Sequence, residues 1–63
     1  MSDARVTNCG NIYTVGLLTN RARLWVDENV DPEAQFFGDE LIVEHSYIYD
    51  LVEAMIADDL EVV

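Results

Sequence analysis

Glu40-Leu41-Ile42-Val43-Glu44-His45-Ser46-Tyr47-Ile48-Tyr49-Asp50-Leu51-Val52-Glu53-Ala54-Met55-Ile56-Ala57-Asp58 decides the fold, because its apolar period changes partway along. From Glu40 to Glu44 the chain alternates. Leu41 and Val43 share one face, while Glu40 and Glu44, with Ile42, share the other, as in a half-buried strand. Beyond Ser46 the apolar residues recur at three and four. Ile48, Leu51, Val52 and Met55, with Ile56 beside them, predict an amphipathic helix over about Tyr47 to Asp58. Ser46 stands where an N-capping hydroxyl belongs. Tyr49, Asp50, Glu53, Ala57 and Asp58 fall on the outer side. A strand and a helix that are each apolar on one side must bury those sides against a common core.

The same reading extends toward the N-terminus. Ile12 to Leu18 is rich in β-branched and aromatic residues and reads as a strand, with Gly16 marking a bulge. Thr19 or Asn20 offers an N-cap for a helix over Arg21 to Asn29. Ala22, Trp25, Val26 and Asn29 recur there at helical spacing, with Leu24 on the flank. Asp31-Pro32 stops that helix, because proline drives its predecessor out of helical geometry. Asp31 to Gln35 forms a linker, and Phe36-Phe37-Gly38-Asp39 carries two aromatics into a turn. Residues 1–10 read as a loose arm leading into the turn-like Asn8-Cys9-Gly10-Asn11. Leu60 to Val63 offers a short terminal strand. The order β-α-β-α-(β) predicts one α+β domain over residues 1–63, with two helices packed on one face of a two- to three-stranded sheet. Trp25, Phe36 or Phe37, Leu41, Val43, Leu51 and Met55 are its expected core.

Sixty-three residues make one domain of marginal stability, about 3–5 kcal/mol. An enzyme-sized cleft would consume much of such a core, so the outer surface is the expected working part. The single cysteine, Cys9, rules out an internal disulfide and points to a reducing compartment, the cytoplasm of whatever cell the protein occupies. No apolar run approaches the length of a membrane span, and Met1-Ser2-Asp3-Ala4-Arg5 lacks the layout of a signal peptide.

Charge is the most informative feature. Thirteen Asp and Glu stand against three Arg, a formal net charge of −10, and no Lys or Arg follows Arg23. Disorder, a common companion of high net charge, is not expected where 51% of residues are apolar and regularly spaced. Self-repulsion costs stability, so so uniform an acidic surface suggests a use for its field. Phosphate binding is disfavoured by the shortage of cations, so neither nucleic acid nor a membrane is an expected direct partner. Cys9 and His45 have no spacing that suggests a nucleophile and its base, and together they are too few for zinc. Asp58-Asp59-Glu61 and Asp31-Glu33 are small acidic clusters without the spacing of a calcium loop. The isolated glycines make no phosphate cradle. No enzyme activity, cofactor or metal is expected.

The acidic residues remain. Carboxylates three apart on a helix, such as Asp50 and Glu53, lie about 5–6 Å apart, and duplex DNA presents one phosphate per roughly 3.4 Å of axis on each strand. A folded carboxylate array can therefore enter the basic grooves that hold a nucleic-acid backbone. The candidate contact residues are Asp27, Glu28, Asp31, Glu33, Asp39, Glu40, Asp50 and Glu53. A second reading is a regulatory or adaptor protein that binds a host factor through an apolar patch supplied by Tyr13, Phe36, Phe37, Tyr47 and Tyr49.

Leu17-Leu18-Thr19 with Arg21-Ala22-Arg23, then Trp25, Glu28-Asn29, Phe37-Gly38, Val43-Glu44, Tyr47, Asp50-Leu51 and Asp59-Leu60-Glu61-Val62 resemble small proteins of bacteriophages and mobile elements. In size and acidity the chain also resembles the anti-CRISPR proteins, and the resemblance points to one directed at a type I effector complex, with type I-C as the candidate subtype. These share no general motif, so no functional residue carries over. The resemblance implies a phage inhibitor that acts as a DNA mimic on a nucleic-acid-binding surface of the host's defence complex, with the large PAM-recognising subunit as its natural target.

Overall fold

The computed structural model describes residues 1–31 and 33–63. Its elements are β1 (Ala4–Asn8), β2 (Ile12–Leu17), α1 (Asn20–Asn29), β3 (Phe36–Phe37), β4 (Glu40–Glu44) and α2 (Ile48–Ala57). The strands form one antiparallel sheet in the order β1-β2-β4-β3. The fold is the expected small α+β domain with two helices against a sheet, but the sheet has four strands.

The added strands have local causes. The N-terminal residues are not a loose arm. Ala4 and Val6 alternate with Arg5 and Thr7, and Ala4 is fully buried opposite Leu17. Its small side chain made this strand hard to recognise. In the β1–β2 connection, Gly10 takes φ +94 and its N–H donates to Asn8 Oδ1 at 2.9 Å. β3 is only two residues long, joined to β4 through Gly38-Asp39. Gly38 has φ +65, and glycine at the first position of a two-residue hairpin loop is what a type II′ turn requires. Gly16 marks no bulge, since it stays in register with Arg5 on one side and Glu40 on the other.

Alternation along the strands places every buried sheet residue on one face. Ala4, Val15, Leu17, Leu41 and Val43 meet Ala22 and Val26 from α1, and Ile48, Leu51 and Met55 from α2. Both helices therefore cover this face, and the opposite face is open. The core is aliphatic throughout. Phe36 and Phe37 are exposed, not buried, because both lie on a two-residue edge strand with nothing packed beyond it. Trp25 is half-buried at the margin of the core, where its indole N–H donates to Asp58 Oδ2 at 2.6 Å. Leu24, Asn29 and Ile56 face solvent.

The helix ends differ in detail from expectation. Thr19 caps α1, its hydroxyl accepting from the Ala22 N–H at 3.1 Å. α1 stops where Val30 turns extended (φ −110, ψ 145), while Pro32 lies outside the described residues. Ser46 does not cap α2. Residues 45–47 form a turn, closed by the Tyr47 N–H donating to Glu44 O at 3.0 Å, so the helix begins one residue later than a Ser46 cap would set it.

α2 ends in a Schellman arrangement. The Leu60 N–H donates to Met55 O at 3.0 Å and the Asp59 N–H donates to Ile56 O at 3.0 Å, with Asp59 at φ +67. Leu60 then joins Met55 in the core. The expected terminal strand is reduced to a parallel bridge between Ala4 and Val62. An aspartate held in the left-handed region is strained, and glycine is not. Asp59→Gly is expected to stabilise the protein by about 0.5–1 kcal/mol, a rise in melting temperature of roughly 2–8 °C, read by thermal unfolding. An unchanged or lower melting temperature contradicts this.

Candidate functional site

The eight candidate carboxylates are all exposed. Asp27 and Glu28 lie in the last turn of α1, which holds no basic residue. Anionic side chains there oppose the helix dipole. Asp31 and Glu33 follow in the loop, where Asp31 Oδ1 accepts from the Glu33 N–H at 2.8 Å and fixes an Asx turn. Asp39 sits in the β3–β4 turn, and Glu40 begins β4 with its side chain on the open sheet face. Asp50 lies in the first turn of α2, where the dipole favours it, and Glu53 lies on the outer side of that helix.

Three depressions gather some of these acids. Asp27 and Asp39 line one between α1 and the β3–β4 hairpin, together with Phe36 and Arg23. Asp31 lines a groove of about 280 Å³ along β4 with Glu44, Val30, Ile42 and Tyr47. Glu28 borders a third with Asp58, Trp25 and Arg21. Asp50 and Glu53 line none of the three. Glu44 and Asp58 thus join the surface although neither is among the eight candidates. Glu44 was legible as the strand-face companion of Glu40, whereas the position of Asp58 beside Trp25 arises only from tertiary packing.

The arginines do little to offset this charge. Arg21 pairs with Asp3 at 3.7 Å and also donates to the Asp59 carbonyl. Arg23 donates to Asn20 Oδ1 at 3.1 Å, and Arg5 stands on the open sheet face. The second ion pair joins the N-terminal ammonium to Glu61 at 3.5 Å. Among the described residues, none of the eight candidates has an ion-pair partner.

Asp3 is the exception among the acids, since it is built into the fold. Its carboxylate accepts from the Glu61 N–H at 2.9 Å and the Thr19 hydroxyl at 2.8 Å, tying the C-terminal residues and the start of α1 to β1. These bonds, the Glu61 amide first, with the nearby Arg21 charge, hold its pKa below the ordinary 3.8. A carboxyl more acidic in the folded state stabilises that state above its unfolded pKa and loses the effect as pH falls through the folded value. Asp3→Asn is therefore expected to be less stable than wild type at about pH 6, with the gap closing below about pH 4 as Asp3 is protonated. Urea midpoints of both proteins across this range check it, and a constant gap contradicts it.

The aromatic residues are also a surface feature. None is fully buried, and Phe37 and Tyr49 are 76% and 73% exposed. Tyr49 borders an apolar depression with Tyr13, Ile48, Val52 and Val63. Two adjacent aromatics in a strand must point to opposite faces, so the sequence already required one of Phe36 and Phe37 to leave the core. That signal was available.

Cys9 is exposed, and its N–H closes the β1–β2 turn by donating to Ile12 O at 2.8 Å. The ring of His45 lies 5.8 Å from that of Tyr13, tilted by 36°. Among the described residues no hydrogen bond joins thiol to imidazole, and no three His, Cys, Asp or Glu are placed to hold a metal ion. Replacing Cys9 and His45 together by Ala is expected to leave binding within a few-fold of wild type. A loss of function with an intact melt would reinstate a chemical role. No helix of the described residues is long and apolar enough to cross a membrane.

Compared with known proteins, the chain matches no family model, no curated protein and no solved structure.

Proposed function

We propose that the protein is an inhibitor that binds the basic, nucleic-acid-binding surface of another protein and acts there as a DNA mimic. The observation that carries this reading is the uncompensated charge. Eight exposed carboxylates lack ion-pair partners among the described residues, in a chain of net charge −10. Such a field attracts a cationic groove and speeds association with it. Carboxylates fixed on helices and hairpins are ordered before binding, so less entropy is lost on contact. The resemblance to anti-CRISPR proteins directs the first trial to a type I effector complex and its PAM-recognising subunit.

The test is competition between the protein and labelled duplex DNA for that purified complex, at low and moderate salt. Displacement of DNA that weakens as salt rises, with no binding of DNA by the protein itself, is the expected result. Absence of displacement at low salt removes this target. If pull-downs from host lysate retain no nucleic-acid-binding protein either, the mimicry reading falls.

The second reading, an adaptor or regulator that binds a host factor through aromatic residues, is favoured by the exposure of Phe36, Phe37, Tyr47 and Tyr49. Exposed aromatics are typical binding hot spots. Such a complex would hold its affinity as ionic strength rises, whereas the charge-driven complex would not.

A further inference from the structure

The β3–β4 hairpin sets an aromatic ring beside a carboxylate on each of its two sides. Phe37 and Glu40 are direct cross-strand partners and share the open sheet face. Partners so placed have Cβ atoms about 4.5–5.5 Å apart. Phe36 points the other way and lines the depression it shares with Asp27 and Asp39. Both rings are accessible, Phe36 at 49% and Phe37 at 76%.

We propose that this hairpin is a docking surface for arginine side chains of a basic protein partner. The inference rests on the acidic-surface reading and adds to it which cation is read. Charge complementarity selects the partner. Two copies of this chain would bring carboxylate against carboxylate, and an uncharged apolar partner would leave Asp27, Asp39 and Glu40 desolvated without a counter-ion. Ring and carboxylate together then select among cations. A guanidinium is planar and weakly hydrated, stacks on an aromatic face and pairs with a carboxylate through two parallel N–H donors. A lysine ammonium is a compact, strongly hydrated charge that loses more hydration over a ring and lacks the planar fork for stacking and two-donor pairing, so it gains less from the same site. Arg23 lines the depression beside Phe36, but its guanidinium donates to Asn20 Oδ1, so Asp27 and Asp39 have no ion-pair partner among the described residues.

Two synthetic probes test this, an octapeptide of alternating glycine and arginine and its lysine counterpart, titrated at low salt. The arginine peptide is expected to bind about two- to five-fold tighter, the gain of an exposed cation–π contact, and to shift the ring-proton resonances of Phe36 and Phe37. Substituting both by leucine, Phe36→Leu with Phe37→Leu, removes the π faces but keeps apolar bulk at two exposed positions. It should abolish the preference by weakening the arginine peptide more than the lysine peptide. If that variant does not fold, the wild-type ring shifts decide, since at equal saturation the arginine peptide should produce the larger ones, and equal shifts overturn the proposal.

Equal affinity for the two peptides, a preference that survives in the leucine variant, or no binding of either overturns the proposal. Equal affinity that salt abolishes would overturn arginine selectivity and still leave an acidic surface that binds cations. The DNA competition decides that broader reading independently.

Discussion

Leu51→Ala is expected to remove most or all of the protein's stability at 25 °C. Leu51 is 2% exposed, at the centre of the buried side of α2. Truncating a buried leucine costs about 2–5 kcal/mol, part of it from the cavity left behind. A domain this small holds only about 3–5 kcal/mol in total. The aliphatic core has little room to close over the cavity, because both helices contribute to a single layer of side chains on one sheet face. Leu24→Ala is the control. Leu24 is 61% exposed on α1, and its loss should stay within about 0.5 kcal/mol. Circular dichroism and urea unfolding of both variants check the pair. A two-state transition for Leu51→Ala within about 1 kcal/mol of wild type would show that this core does not carry the fold.

Reversing Asp27, Glu28, Asp31 and Asp39 to Lys is expected to slow association with a basic target by about 10- to 1000-fold. Each reversal moves the formal charge by two units, so the four together take −10 to −2. The loss should accumulate stepwise, since no single carboxylate carries a mimic of a repeating phosphate backbone. Lys should be worse than Asn or Gln at the same position, because like charges then face each other across the contact. Dissociation should change less than association. Stability should change little, because relieved repulsion at these exposed positions offsets the Asp31–Glu33 hydrogen bond that Asp31→Lys removes. Glu53→Lys with Asp50→Lys, on the outer side of α2, reports whether that helix shares the contact. The measurement is the association rate of the series at two ionic strengths. Wild-type rates in the fourfold variant at low salt would reduce the acidic surface to an aid to solubility.

Much of the architecture was legible as periodicity. The switch from alternation in Glu40–Glu44 to a three-and-four spacing in α2 is a local property of the chain, and it fixes which residues of each element face inward. Thr19 and Asn20 were both legible as caps for α1, but the local pattern did not choose between them, just as Ser46 precedes helix-spaced apolar residues and does not cap α2. Of the candidate site, the sequence yielded the residue types and their exposure. Charged side chains stay in solvent unless paired, and with three arginines against thirteen acids most acids cannot be paired.

What the sequence by itself determined is therefore a helix-bearing acidic domain with its strand and helix faces assigned. Only the tertiary structure decided that residues 4–8 are a strand, because Ala4 gains its buried place from Leu17 and the bridge to Val62 and not from its own hydrophobicity. Only the tertiary structure left the phenylalanines outside the core, because a two-residue edge strand has no layer to cover it. And only packing brought Asp27 to Asp39, twelve positions apart, across one depression. Periodicity reports which way a side chain points within its own element. Which elements become neighbours depends on long-range pairing, which no local pattern encodes.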